Sequence, residues 1–440
     1  IGSALRFGDS VELQPSGEAG RIRGLQSFGE VCEQVEPGAR CAVNVRNVAL
    51  AELGRGVLVT KPGAVPQTLV FDAELAWLPS APTLGRDPTS VELLCGTAER
   101  RARVARIGAE TDSAGERLLV RIHVDGEALP LLPDDRFVLR GFHRGAGAGA
   151  TLGGGRVLDV APPKRRRSDP ALVAELRVLA RGDTAEGLRA RVTRGGFAGA
   201  STQELALETG RPTAEVEALL QGHDEGVVRI PPSRWLGADA AAELEARLLR
   251  ALSAFHDAQP LEPGMPRATL RGALPTNVPA GAFEALIDRL TAAGRVELQE
   301  KLVCASDFVP RLSQREEAIA ARLRADAMIA GLEPPNLADW SSELGVGEEE
   351  LRPVLGHLER DGSLIRAPGE LWFDRVAVDE LRDKVVAHLT EHGELPTAAY
   401  KDLIGTSRKW AVPLMELFDA EHLTMRSGEA RVLRRRPRAT

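Results

Sequence analysis

The residues best suited to do chemistry lie near the carboxyl end, where Ser407, Arg408 and Lys409 follow a Gly-Thr pair. A Gly-Thr-Ser run predicts a turn and then a helix N-cap, which puts the two cations in the first turn of a helix. Positive charge is unfavourable there because the amino end of the helix dipole is itself positive. An anionic partner would offset that repulsion, so the pattern predicts binding of phosphate groups.

Two further arginines lie on the β-hairpin predicted after this helix. Arg426 and Arg431 flank a turn at Ser427-Gly428, which places positive charge on the hairpin. The helix start and the hairpin could then hold a phosphate backbone from two sides. The alternative is that these are surface arginines without a binding role.

Charge is distributed unevenly along the 440 residues, whose formal net charge is −7. The stretch from Lys401 to Thr440 carries nine Lys and Arg against five Asp and Glu, so the other 400 residues carry −11. An acidic body with a basic end suggests a local contact with a polyanion. The run Arg434–Arg438 is equally compatible with a solvated tail.

The sequence lacks the motifs of a nucleotide-hydrolysing enzyme. No Gly-Lys pair occurs, so the P-loop is missing, and no Asn-Lys-x-Asp motif occurs. Gly145–Gly155 resembles a dinucleotide loop, but no helix is predicted after it, which favours a flexible turn between strands. We therefore predict that the chain is not an enzyme and holds no cofactor.

Cysteine and histidine spacing does not favour a metal site. The four cysteines form no C-x-x-C pair, which favours reduced core thiols, and His388 and His392 share a helix face without an evident third ligand. No apolar run reaches the roughly 18 residues of a membrane span, and no signal segment opens the chain. We expect no metal, no membrane contact and a cytoplasmic location.

Two classes of element position these residues. Short alternating stretches separated by Gly, Pro and Asn fill residues 1–160 and predict β-barrels at 1–63 and 64–162, divided near Pro62–Pro66. After a basic, proline-flanked linker at Pro162–Pro170, helical spacing takes over. The fold class predicted is therefore multidomain, β followed by α+β.

The second half repeats a plan of helix, turn, helix and hairpin, which is the winged-helix plan. The repeats fall at 168–238, 239–310, 311–376 and 377–440. Glu215 and Glu217 in the first repeat, and Glu348–Glu350 in the third, would repel phosphates. The first three repeats are therefore interpreted as spacers or protein-contact modules, and the fourth as the module that contacts phosphates.

The fourth repeat resembles the final winged-helix domain of the bacterial selenocysteine-specific elongation factors, the SelB family. The resemblance lies in Ser407-Arg408-Lys409, Leu414-Met415-Glu416, Phe418-Asp419 and Thr424-Met425-Arg426-Ser427-Gly428. It implies that this domain grips the selenocysteine insertion hairpin of messenger RNA. Met425 departs from the arginine that is common in this hairpin, which predicts one weaker phosphate contact.

The barrels resemble the same family. Val11–Leu13, Arg21–Gln26 and Pro37–Val45 are similar to domain two, a barrel shared with elongation factor Tu, while Asp134–Arg140 and Thr151–Asp159 are similar to domain three. The resemblance places Arg40 at the selenocysteinyl end of the bound tRNA, where a permanent, weakly hydrated charge suits a selenolate. An ion-paired surface arginine is the alternative.

The resemblance covers nearly the whole chain and implies a segment of a translation factor. Its partners would be selenocysteinyl-tRNA, the messenger hairpin and the ribosome, and the segment would be a monomer. The family's GTPase domain, with its GTP and Mg²⁺, and the first strands of domain two are expected before Ile1, which would leave the first barrel incomplete. The alternative function is a DNA-binding regulator built from tandem winged helices, which the acidic helices and the barrels disfavour.

Overall fold

The computed structural model describes residues 4–49, 53–85, 87–108, 117–141, 150–222 and 226–434. The chain divides into two compact units, one of Ile1–Glu245 with Pro275–Asp288, the other of Ala246–Leu274 with Arg289–Thr440. The basic tail predicted at Arg434–Arg438 lies outside the described residues beyond its first member. In the described ranges, no helix has the length and apolar character needed to cross a bilayer.

The first unit opens with an antiparallel sheet. Its strands are β1 (Leu5–Arg6), β2 (Ser10–Gln14), β3 (Glu18–Ser27), β4 (Glu30–Cys32), β5 (Gln34–Val35), β6 (Cys41–Arg46) and β7 (Leu58–Thr60). The central order is β4-β3-β2-β7, with β6 also paired to β3 and β1 paired to β5. Val11, Ile22, Leu25 and Val35 form its core. Among the described strands this sheet stays open.

A closed six-stranded barrel follows, in the order β10-β11-β12-β9-β15-β14. The strands of this region are β8 (Gln67–Thr68), β9 (Val70–Trp77), β10 (Thr89–Cys95), β11 (Ala98–Arg106), β12 (Leu118–Val124), β13 (Leu129–Pro130), β14 (Arg136–Arg140) and β15 (Thr151–Asp159). Alternate side chains point inward, and the rings of Phe71 and Phe137 meet edge to face at 5.8 Å. The predicted change from barrel to helical modules is therefore confirmed.

The run Gly145–Gly155 was predicted to be a flexible turn between strands. For the part of the run that the structure describes, this prediction is wrong. Residues 142–149 lie outside the described residues, but Gly153, Gly154 and Gly155 are inside strand β15. A Cβ on Gly155 would lie 2.1 Å from the Glu74 carbonyl oxygen, and one on Gly153 would lie 2.5 Å from that of Ala76. The glycines are needed because β15 and β9 approach closely, not because the chain turns.

The first helical module follows the barrel in the same unit. It contains α1 (Pro170–Arg181), α2 (Thr184–Arg194), β16 (Ala200–Ser201), α3 (Thr202–Thr209), α4 (Thr213–Gln221), β17 (Val227–Ile230) and β18 (Arg234–Gly237). Asp169 caps α1 with Pro170 at the first helical position, and Gly182 ends the helix in the left-handed region. Ser201 and Glu204 form a capping box at α3.

The linker predicted at Pro162–Pro170 is fixed to the barrel. Gly108 donates its backbone N–H to the Arg167 carbonyl at 3.0 Å, and Arg121 donates to the Arg165 carbonyl at 3.4 Å. Ile107 and Leu158 of the barrel pack in one cluster with the buried face of α1. Barrel and first helical module therefore form one continuous body.

A buried ion network strengthens this joint. Arg194 of α2 pairs with Asp159 at the end of β15, with Glu175 of α1 at 3.3 Å and with Glu208 of α3 at 2.6 Å. Arg191, which is 5% exposed, donates to the Leu158 carbonyl at 2.9 Å. Side chains from the barrel and three helices thus meet around one guanidinium.

The remaining elements repeat the helix–hairpin order. They are α5 (Ala238–Ala258), β19 (Met265–Pro266), α6 (Arg267–Arg271), α7 (Ala282–Ala292), β20 (Val296–Gln299), β21 (Leu302–Ala305), α8 (Gln314–Ala330), α9 (Leu337–Leu344), α10 (Glu348–Arg360), β22 (Leu364–Ala367), β23 (Leu371–Asp374), α11 (Arg375–His392), β24 (Leu395–Pro396), α12 (Thr397–Ile404), α13 (Arg408–Ala420), β25 (Thr424–Ser427) and β26 (Ala430–Leu433). Two helices followed by a small antiparallel hairpin is the winged-helix order. The division between the two units falls within α5 and α7.

The α8–β23 and α11–β26 modules of the second unit share a core. Leu371 and Phe373 of β23 lie in the same buried cluster as Tyr400 of α12 and Phe418 of α13. Leu332, which follows α8, packs against this cluster as well. Because side chains of both modules fill a single core, the orientation of one module fixes that of the other.

Candidate nucleic-acid interface

Helix α13 begins at Arg408, as the Gly-Thr-Ser run predicts. Gly405 has a φ of 71°, and Ser407 is the N-cap in extended conformation with φ −74° and ψ 162°. The Ser407 side chain accepts no hydrogen bond from the helix, and the first turn contains no acidic residue. Its hydroxyl and the first amide N–H groups are therefore available to an anion at the positive end of the helix dipole.

Arg408 and Lys409 both project into solvent from this first turn. In the described part of the chain no acidic side chain pairs with Arg408. The Lys409 ammonium lies over the ring of Trp410, 4.8 Å from its centroid, which is a cation–π arrangement. Two exposed positive charges thus stand at the end of a helix whose dipole has the same sign.

The hairpin of β25 and β26, here called the wing, turns at Gly428 with φ 63°. Arg426 lies directly opposite Arg431 in the register, so both project from the same face. Arg426 is exposed and donates only to the Gly428 carbonyl of its own turn, at 3.1 Å. Its guanidinium is therefore accessible to a partner.

Arg431 differs from Arg408, Lys409 and Arg426 because its side chain is largely buried and ion-paired. Its side chain is 11% exposed and its guanidinium lies 3.2 Å from the Asp419 carboxylate. Thr424 donates to the same carboxylate at 2.6 Å. Arg431 was predicted as an RNA contact, and the structure shows that its guanidinium also joins the wing to the end of α13.

The helix start and the wing lie at the two ends of α13. Thr424 and Arg431 both reach Asp419 of α13, so the face of the wing that carries Arg426 is turned toward that helix. Arg408 and Asp419 are eleven residues apart on α13, a distance of roughly 16 Å at 1.5 Å per residue. Contacts at both ends therefore require a backbone of several nucleotides, not a single phosphate.

Sequence reasoning missed the residues that support this surface. Thr406 donates to the Glu333 carboxylate at 2.6 Å, and the Trp410 indole N–H donates to the Pro334 carbonyl at 3.1 Å. An aromatic residue directly after an Arg-Lys pair is a signal that could have suggested Trp410. Nothing local in the sequence points to Glu333 or Pro334, because they lie about 70 residues away along the chain.

Arg40 lies in the first unit, in the loop between β5 and β6. It is exposed, and its carbonyl accepts a hydrogen bond from the Ser27 hydroxyl at 3.2 Å. The structure places it immediately before β6, where Cys41 pairs with Ser27 of β3. Its side chain faces solvent at the end of this sheet.

Histidine and cysteine side chains do not converge on a metal site in the described ranges. His388 and His392 stack at the end of α11 with centroids 4.3 Å apart. Within the described ranges no group of three or more His, Cys, Asp or Glu side chains could hold a metal ion.

Comparison with known proteins gives the family context. Two family models described as "Elongation factor SelB, winged helix" match the chain, one over residues 387–433 and the other over residues 249–303. The first match contains α12, α13 and the wing.

Three whole proteins that are similar to this chain are elongation factors. The selenocysteine-specific elongation factor of Desulfomicrobium baculatum is 27% identical, and that of Escherichia coli K12 is 24% identical, each over 99% of this chain. The chain spans 68% and 67% of those two proteins, about two thirds of their length. Elongation factor 1-alpha of Hyperthermus butylicus is 29% identical over 36% of this chain and 39% of its own length.

A solved structure shares the fold. The crystal structure of a bacterial selenocysteine-specific elongation factor aligns with a TM-score of 0.52 at 16% identity, covering 98% of this chain and 65% of that one. This likeness concerns the arrangement of the backbone. It agrees with a β-barrel followed by winged helices.

Proposed function

The chain belongs to the SelB family of selenocysteine-specific elongation factors, and on that premise we propose that its α11–β26 module binds an RNA hairpin in messenger RNA. The observation that carries the proposal is the pair of exposed cations, Arg408 and Lys409, at an uncapped helix start. Exposed Arg426 on the wing adds a third positive charge to the same module.

An RNA hairpin suits this geometry better than an isolated anion. The deep, narrow major groove of an A-form stem hides base edges, so a protein reads the loop bases, the shape and the backbone. A helix start and a wing at the two ends of one helix can follow a backbone over several nucleotides. The helix start supplies amide donors and charge, and the wing supplies a guanidinium.

We further propose four tandem winged-helix domains, of which the first three act mainly as spacers. The second helix of the α8–β23 module begins with Glu348, Glu349 and Glu350, which repel phosphate. In the first module, Glu215 of α4 is paired with Arg211. These helices therefore lack the cationic start that α13 has.

The remaining functions are proposed on the family alone. The open sheet and the barrel would bind selenocysteinyl-tRNA, with Arg40 at its aminoacyl end, and the assembly would act on the ribosome in the cytoplasm as a monomer. The 440 residues contain no Gly-Lys pair, so we propose that GTP hydrolysis is not a property of this sequence. GTP and Mg²⁺ would be bound by a separate GTPase domain.

The test is a binding titration with the hairpin that follows a selenocysteine UGA codon in a messenger RNA. We expect the wild-type chain to bind it more tightly than a DNA duplex of equal length at physiological salt. Arg408→Ala should weaken binding by at least about tenfold and reduce the dependence of log K on log salt by about 0.7–0.9.

The matched control is Lys384→Ala, which removes an exposed cation from α11 of the same module. It should change hairpin affinity less than about twofold. Equal affinity of wild type and Arg408→Ala would refute the assignment of α13. Tighter binding to DNA would instead favour the tandem winged-helix DNA-binding regulator.

A further inference from the structure

The start of α13 is held by a neighbouring module through two hydrogen bonds. Thr406 donates its hydroxyl to Glu333 at 2.6 Å, and Trp410 donates its indole N–H to the Pro334 carbonyl at 3.1 Å. Glu333 and Pro334 belong to the short segment that joins α8 to α9 in the α8–β23 module. Thr406 is 7% exposed, so its bond is shielded from water.

These two bonds bracket the exposed cations. Thr406 precedes Arg408 by two residues, and Trp410 follows Lys409 directly. The Trp410 ring also carries the Lys409 ammonium at 4.8 Å from its centroid. The carbonyl of Pro334 therefore fixes the indole, and the indole in turn orients the ammonium.

We infer that the segment Leu332–Pro335 positions Arg408 and Lys409 for phosphate contact, so the α8–β23 module belongs functionally to the RNA-binding surface. The inference rests on the proposed RNA binding by α13. Leu332 anchors the segment in the core shared by the two modules. A helix start fixed in this way loses less freedom when it binds, and preorganisation of this kind raises affinity.

The surroundings of the segment favour positioning over direct contact with RNA. A groove of about 320 Å³ lies beside Lys409 and Trp410, and the α8–β23 module lines it with Glu333, Asp339 and Glu343. Carboxylates repel phosphate, so RNA is kept from this groove. Glu333 and Pro334 therefore act through Thr406 and Trp410, and their effect on RNA is indirect.

Two substitutions test the inference without removing a charge from the surface. Thr406→Val keeps the shape of the side chain but removes the donor to Glu333. Trp410→Phe keeps an aromatic face under Lys409 but removes the donor to Pro334. We expect each to weaken hairpin binding about fivefold with an unchanged salt slope, because no cation has been lost.

Three comparisons make the result specific. Thr406→Ser restores a hydroxyl and should restore the affinity, which loss of folding would not explain. Lys409→Ala should instead lower the salt slope by about 0.7–0.9. The thermal unfolding midpoint of each variant is measured alongside, and if Thr406→Val does not fold, Trp410→Phe decides alone.

The outcomes separate this inference from the function on which it rests. If Thr406→Val and Trp410→Phe bind like wild type while Arg408→Ala does not, the positioning role is refuted and RNA binding by α13 stands. If the wild-type chain does not prefer the RNA hairpin, the proposed function itself fails. Weakened binding that Thr406→Ser restores supports the inference.

Discussion

The guanidinium of Arg431 lies 3.2 Å from the carboxylate of Asp419, and this pair joins the wing to the carboxyl end of α13. Asp419 also accepts the Thr424 hydroxyl at 2.6 Å, so one carboxylate holds both strands of the wing. Arg426, directly opposite Arg431, is free of this network and exposed. The two arginines therefore differ although they face each other on the wing: Arg431 is held in an ion pair, and Arg426 is exposed.

Arg431→Met should lower the free energy of unfolding by about 1–3 kcal/mol, because Asp419 then loses a charged hydrogen-bond partner in a half-buried site. Arg426→Ala should change it by less than about 0.5 kcal/mol, since its side chain bonds only within its own turn. Urea denaturation measures both. A larger loss of stability in Arg426→Ala than in Arg431→Met would contradict these roles.

Arg194→Met should destabilise the first unit by about 3–5 kcal/mol, because it leaves Asp159, Glu175 and Glu208 without their shared cation. Arg181→Ala is the control, since it removes a largely exposed arginine paired with Glu186. Chemical denaturation followed by circular dichroism compares the two. Similar small effects would show that the buried network contributes little.

The same network predicts a pH dependence. Burial raises the pKa of the Glu175 and Glu208 carboxyls above their ordinary value of 4.5. The folded state then binds protons more tightly than the unfolded state, so these two groups favour folding most below pH 4.5 and less as the pH rises through their folded pKa values. The fall in unfolding free energy on raising the pH from 4.5 to 7 should be larger in Arg194→Met than in wild type.

Gly155→Ala should disrupt the barrel, because its Cβ would lie 2.1 Å from the Glu74 carbonyl oxygen and 2.8 Å from the Phe137 ring. Backbone must move to relieve the first contact, and we expect a loss of roughly 3 kcal/mol or more. Gly54→Ala is the control, since a Cβ there meets no atom within 4 Å. Equal thermal midpoints for the two variants would show that β9 and β15 can separate at small cost.

Cys95 should react slowly with iodoacetamide. Burial, and then the nearby Asp135 carboxylate, raise the pKa of its thiol to about 11. The thiolate is the nucleophile, so roughly one molecule in a thousand is reactive at pH 8. Its rate, followed by peptide mass spectrometry, should rise about tenfold for each pH unit up to pH 10. A rate that levels off near pH 9 would show an unperturbed thiol.

The sequence was most informative where the signal was local. Alternation predicted the barrel. The Gly-Thr-Ser run predicted where α13 begins, and Ser407 is the N-cap of that helix in the structure. Turn chemistry likewise placed the wing around Gly428. These features depend on neighbouring residues, and a single sequence displays them directly.

Features that depend on distant residues were missed. The pairing of Arg121 with Asp72 joins residues 49 apart, and Arg121 also helps fix the linker that composition predicted at Pro162–Pro170. Arg431 was assigned to RNA binding because charge on a hairpin is visible in the sequence, whereas its packing against Asp419 is not. The contacts of Thr406 and Trp410 with another module could not be found for the same reason.

The joint between the barrel and the first helices uses main-chain carbonyls as acceptors. Arg121 bonds the carbonyl of Arg165, Arg156 that of Ala180, and Arg191 that of Leu158. Every amino acid supplies a carbonyl, so these three bonds do not depend on the side chain of the accepting residue, whereas each requires its arginine donor. Loss of one of the three arginines would remove a bond, whereas a change of side chain at an accepting position would leave the acceptor atom in place.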